Sequence, residues 1–136
     1  MTLRNLLVSA MVLGAGLPVT GMHQAKADDT MVYELRTYTA SPGKMAELQA
    51  RFRDHTIQIF EKHGIKSIGY WVSEKDPDKL IYLVVHKSRK DASKNWSAFM
   101  TDPEWRHVFA ESQKNGSLTK KVESVYMTPT DFSPLK

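Results

Sequence analysis

The chain has 136 residues, 41% hydrophobic and 25% charged, with 19 Lys and Arg against 15 Asp and Glu for a formal net charge of +4. That length makes one domain, and with no block of basic residues there is no case for a nucleic-acid partner. The absence of cysteine excludes disulfides, so stability must come from packing within the chain or against a partner chain.

The N-terminal segment reads as a leader rather than as part of the fold. A positive start at Arg4 precedes an apolar run from Leu6 to Val19, and Ala25-Lys26-Ala27 has the small-x-small form of a signal-peptidase site. The apolar run carries Gly14, Gly16 and Pro18 and is about 14 residues long, short of the ~20 that cross a bilayer. The expectation is a signal peptide over residues 1–27, cleavage after Ala27, a periplasmic or secreted protein and no stable membrane anchor afterwards. Cleavage would remove Arg4 and Lys26 and no acidic residue, bringing the working charge closer to balance.

Residues 31–39 (MVYELRTYT) alternate and are rich in Tyr, Val and Thr, the pattern of a strand. Ser41-Pro42-Gly43-Lys44 ends it and opens a helix, in which Met45, Leu48, Phe52, His55, Ile59 and His63 recur at three- and four-residue steps until Gly64. Residues 65–73 form a second strand, 74–78 a turn and 79–87 a third strand, paired as an antiparallel hairpin. Ser88 with Asp91 opens another helix, which Asp102-Pro103-Glu104 restarts and Asn115-Gly116 ends. The last strand covers 120–128, and residues 129–136 form an extended tail. The order β-α-β-β-α-α-β predicts an α+β, ferredoxin-like split βαβ sandwich over residues 28–128, with helices on one face of a four-stranded antiparallel sheet.

The third strand adds a requirement. Leu80-Ile81-Tyr82-Leu83-Val84-Val85 is apolar on both faces, so neither side suits water. Three aliphatic side chains left wet would cost about 5–9 kcal/mol, comparable with the whole stability of a small domain. The tail offers only Phe132 and Leu135 as a lid, so the expected partner is a second copy of the chain, a homodimer whose two sheets pack into an α/β barrel.

Tyr33-Glu34-Leu35-Arg36-Thr37-Tyr38, Pro42-Gly43-Lys44, Phe60-Glu61-Lys62-His63-Gly64-Ile65, Gly69-Tyr70-Trp71 and Asp102-Pro103-Glu104-Trp105 together resemble a NIPSNAP-family domain. The resemblance covers about residues 31–128 and rests on the order and spacing of these pieces. It implies a dimeric α/β barrel of ferredoxin-like protomers, in a superfamily that also holds cofactor-independent monooxygenases and haem-binding enzymes. It implies no catalytic motif for these positions. The roles of eukaryotic members in mitochondria and vesicle traffic do not transfer to a chain with an export signal.

At about 100° per residue, His55 falls in the middle of the apolar helix stripe, aimed at the sheet. There it is either a core histidine satisfied by a tyrosine or a carbonyl, or the lining of a polar cavity; an unsatisfied imidazole would cost about 1–3 kcal/mol. Glu34, Arg36 and Tyr38 share one face of the first strand. Facing the helices they would meet His55 and could support proton abstraction; facing solvent, Glu34 and Arg36 are an ordinary strand pair. His63, in the last helical turn, reads as a cap, and the resemblance keeps a pocket role open for it. Trp71, Tyr82 and His86 are further lining candidates, whereas Trp96, Phe99 and Trp105 read as helix-face core.

His55 and His63 stand about 12 Å apart along the helix, too far to share a zinc, and no other metal pattern occurs. No cofactor is expected, and a lone haem-ligating histidine is a possibility no pattern demands. Two functional readings remain: a structural or small-molecule-binding module for an apolar or aromatic ligand, or a cofactor-free monooxygenase-like or isomerase-like enzyme with its pocket between the first helix and the sheet.

Overall fold

The computed structural model describes residues 30–136; the expected leader, 1–27, lies outside them. Four strands, β1 (Val32–Ala40), β2 (Lys66–Val72), β3 (Lys79–His86) and β4 (Thr119–Met127), form one antiparallel sheet in the order β2-β3-β1-β4. This is the split βαβ topology expected from the element order, with β2 and β3 as the hairpin. The helices are α1 (Met45–Arg51), α2 (Ile57–Lys62), α3 (Arg89–Thr101) and α4 (Pro103–Ser112).

Local chemistry sets the helix ends. The Ser88 hydroxyl accepts from the Asp91 N–H at 3.0 Å, and the Asp102 carboxylate accepts from the Glu104 N–H at 2.7 Å with Pro103 in the first turn. At the end of α2, the Ile65 N–H reaches the Phe60 carbonyl and the Gly64 N–H reaches Glu61, the paired bonds of a Schellman motif. Gly64 holds φ +74° there, and an added Cβ would stand 3.2 Å from the Asn95 amide. Gly64→Ala should therefore cost about 1–2 kcal/mol, read as a lower urea midpoint with unchanged slope.

The first helix departs from regular geometry. Between α1 and α2, residues Phe52–Thr56 form a π turn, and the Thr56 hydroxyl donates to the Arg51 carbonyl at 3.2 Å. A π turn inserts about one residue into the helical repeat, so Thr56 takes the inward bearing that His55 would hold on an unbroken helix. His55 is exposed, and its expected place on the core stripe is corrected. Leu48, Phe52, Ile59 and Phe60 are the residues that meet Leu80, Tyr82 and Val84 of the sheet, with Phe99, Trp105 and Val108 closing the core from α3 and α4. Edge-on aromatic pairs run through its middle, Phe52 and Tyr82 having centroids 5.2 Å apart.

Pairing register sorts the sheet into two faces. Glu34, Arg36, Tyr38, Leu80, Tyr82, Val84 and His86 look toward the helices; Leu35, Leu83, Val125 and Ile81 look away. Gly69 and Trp71 share the outer face, and a Cβ on Gly69 would come within 2.5 Å of the Trp71 ring, so the indole needs a glycine beneath it. The tail turns back, Ser133 N–H bonding the Thr130 carbonyl, and borders a hollow with Tyr33, Leu83 and Met127 at one end of this face. Trp71 and Val125 remain 54% and 55% exposed.

Candidate functional site

The inward alternation of β1 delivers Glu34, Arg36 and Tyr38 to the space between sheet and helices. Glu34 is fully buried, and its carboxylate accepts four hydrogen bonds. The Arg36 guanidinium (2.7 Å) and the Ser124 hydroxyl (2.6 Å) donate to Oε1; the Trp96 indole (2.6 Å) and His86 Nε2 (3.0 Å) donate to Oε2. Burial alone would raise the Glu34 pKa, but the bonds from His86, Ser124, Arg36 and Trp96 outweigh it and hold the group at about 2. Arg36 also donates to the Tyr82 hydroxyl at 2.8 Å and lies 4.4 Å from the Trp96 ring centroid, with Tyr38 at 3.4 Å.

That depressed pKa fixes the sign of a pH effect. A carboxyl lowered from 4.5 to about 2 contributes stability that is complete above pH 4.5 and is lost as the pH falls toward 2. The size is on the order of 3 kcal/mol. Urea midpoints should fall steeply between pH 5 and 3 in the native protein, and Glu34→Gln should flatten that slope.

Beside this network opens a cleft of about 350 Å³ above β4, the edge strand that the helices leave uncovered. Arg36 and Tyr38 from β1, Trp96, Phe99 and Met100 from α3, and Trp105 and Phe109 from α4 line it, with Arg51 at its inner end and Val122 on its floor. Arg51 is only 6% exposed. Its guanidinium lies 5.3 Å from the Trp105 ring and 5.5 Å from Phe109, donates to the Ser112 hydroxyl at 3.1 Å, and has no partner at Nε among the described residues. Burial pushes its pKa down.

The candidates named from sequence separate into two groups. Glu34, Arg36, Tyr38, Tyr82 and His86 converge as one network under the cleft, and His86 Nδ1 has no hydrogen-bond partner among the described residues. His55 does not join them. It borders a second hollow of about 370 Å³ with His107, Asp54 and Arg51. His63 Nε2 lies 2.6 Å from Asp102 Oδ2, and Lys62 reaches the same oxygen at 2.8 Å. Lys62 first, and His63 second, hold the Asp102 carboxyl well below its ordinary range. His63 thus ends its helix by tying it to the N-cap of α4, not by lining the cleft. Trp71 lies on the β2 edge and outer face.

Arg51, Ser124 and the polar role of Trp96 were not identified from sequence. Trp96 belongs to the helix face as expected, but its N–H is spent on Glu34. The one available signal was at Arg51: a basic residue next to the apolar stripe positions Leu48 and Phe52.

A family profile described as NIPSNAP matches residues 33–134. The NipSnap homolog protein of Dictyostelium discoideum is 27% identical over 100 residues, a match covering 72% of this chain and 44% of that protein. The chain thus spans less than half of that relative. Among solved structures, a NIPSNAP family protein of unknown function from Agrobacterium tumefaciens is 28% identical, with a TM-score of 0.69 over 79% of this chain and 96% of the other. A second from the same organism, also 28% identical, gives 0.70 over 78% and 99%. An uncharacterized NIPSNAP-like domain protein from Burkholderia xenovorans, 21% identical, shares the fold with a TM-score of 0.69 over 78% and 90%.

Proposed function

The chain belongs to the NIPSNAP family, and from that premise we propose that it is an exported homodimer that binds a small aromatic molecule in the cleft above β4. The observation that carries this reading is the cleft's make-up: aromatic walls from α3 and α4, with guanidinium groups at its inner end and floor. Pockets that hold small molecules combine such apolar walls with a few fixed polar groups. Export is supported by Arg4, the short apolar run and Ala25-Lys26-Ala27, and pairing by the apolar outer face of the sheet.

Binding is favoured over catalysis by the state of Glu34. A carboxylate held at about 2, with four donors on its two oxygens, is a poor proton acceptor near neutral pH. His55, the other expected base, opens onto a different hollow.

A screen of aromatic fragments by quenching of tryptophan fluorescence tests the reading, since Trp96 and Trp105 both line the cleft. Hits should lose at least tenfold in affinity with Val122→Trp, which fills the floor, and keep it with His55→Ala. Hits indifferent to Val122→Trp would discard this cleft.

A further inference from the structure

We propose that the cleft's ligand is a planar aromatic monocarboxylate and that Arg51 is its anion receptor; this rests on the binding reading above and adds the chemical class. The two guanidinium groups of the cleft differ in one respect. Arg36 carries its counter-charge with it, in the buried carboxylate of Glu34 at 2.7 Å. Arg51, equally part of the wall and almost wholly buried, is in none of the ion pairs among the described residues.

Among the described residues its single side-chain bond goes to a neutral hydroxyl, Ser112, and Nε stays unbonded. A buried charge without a partner is costly, and proteins seldom keep one unless something occupies it. The acids of the neighbouring hollow do not neutralise it. Glu47 is paired with Lys44 at 2.8 Å and Glu111 with Lys114 at 2.6 Å, while Asp54 is exposed and forms no ion pair with Arg51.

The backbone makes the same point. Arg51 immediately precedes the π turn, and its carbonyl takes the Thr56 hydroxyl. Such turns interrupt the helical ladder and are frequent at functional sites. One unmatched positive charge calls for one negative charge. A guanidinium fork suits the two oxygens of a carboxylate, and the exposed Phe109 side chain, whose ring lies 5.5 Å from the Arg51 guanidinium, gives an attached ring an apolar wall beside that fork. A phosphate dianion would need a second free cation here, and Arg36 is already matched.

Calorimetric titration of the purified protein with 2-naphthoate, the neutral 2-naphthamide and acetate separates these requirements. Naphthoate is expected to bind, with the amide and acetate each at least tenfold weaker. Arg51→Met should abolish the preference for acid over amide, and Arg51→Lys should retain part of it. Because it removes an unpaired buried charge, Arg51→Met should leave the melting temperature of the ligand-free protein unchanged or higher. Equal binding of acid and amide would overturn the anion receptor while leaving the cleft reading intact, and binding of neither would overturn both. A lower melting temperature for Arg51→Met with naphthoate affinity unchanged would make Arg51 a structural residue and refute the proposal.

Discussion

Glu34→Ala is expected to destabilise the protein by about 3–5 kcal/mol, the cost of removing one partner from a buried ion pair. The carboxylate is the acceptor for Arg36, His86, Trp96 and Ser124, which come from β1, β3, α3 and β4. Its loss leaves a half-buried guanidinium without a counter-ion and an indole N–H without an acceptor. A domain of this size has about 5–15 kcal/mol in total, so the variant should sit near the edge of folding. Glu34→Gln keeps the shape and one good acceptor, and should cost roughly half as much. Urea unfolding at pH 7 measures both. A loss below about 1 kcal/mol for the alanine variant would mean an ordinary exposed strand pair after all.

That pair shows what the sequence makes legible. Period-two alternation put Glu34, Arg36 and Tyr38 on one face of a strand, and a strand's period tolerates no ambiguity about which residues travel together. Which face met the helices depended on β3, whose two-sided apolar run allowed either. Capping residues Ser88, Asp102 and Gly64 mark their helix ends because each acts on backbone within three residues of itself. The first helix failed differently. A regular repeat carries His55 inward, but the structure inserts a π turn, with the Thr56 hydroxyl bonded to the Arg51 carbonyl and Phe52 packed on Tyr82, contacts that a helical count does not contain. That turn accounts for His55 lying outside; Arg51 precedes it, beside Leu48 and Phe52 on the regular part of the helix. Ser124 lies ninety residues from Glu34 and becomes its partner only through the pairing of β4 with β1.

Leu83→Asp is expected to convert the proposed dimer into a monomer. Leu83 stands in a cross-strand row with Leu35, Val125 and Gly69 on the outer face, with Ile81 and Trp71 in the next row. The helices all pack on the opposite face, and the tail reaches only the end with Tyr33, Leu83 and Met127, where a hollow remains and Phe132 itself is 84% exposed. In a twofold interface each substitution occurs twice, so two leucines would leave the contact, worth about 3–6 kcal/mol together. That corresponds to a dissociation constant weakened by roughly 10²–10⁴, before any cost of burying the two aspartates against each other. Sedimentation at micromolar concentration should give a dimer for the native protein and a monomer of unchanged helix content for Leu83→Asp. The inner-face network should be untouched, because Leu83 points away from Glu34 and Arg36; tryptophan-monitored ligand binding in the monomeric variant therefore separates the two roles of the sheet. A native protein that sediments as a compact monomer would reject the dimer, and the apolar row would then need some other cover.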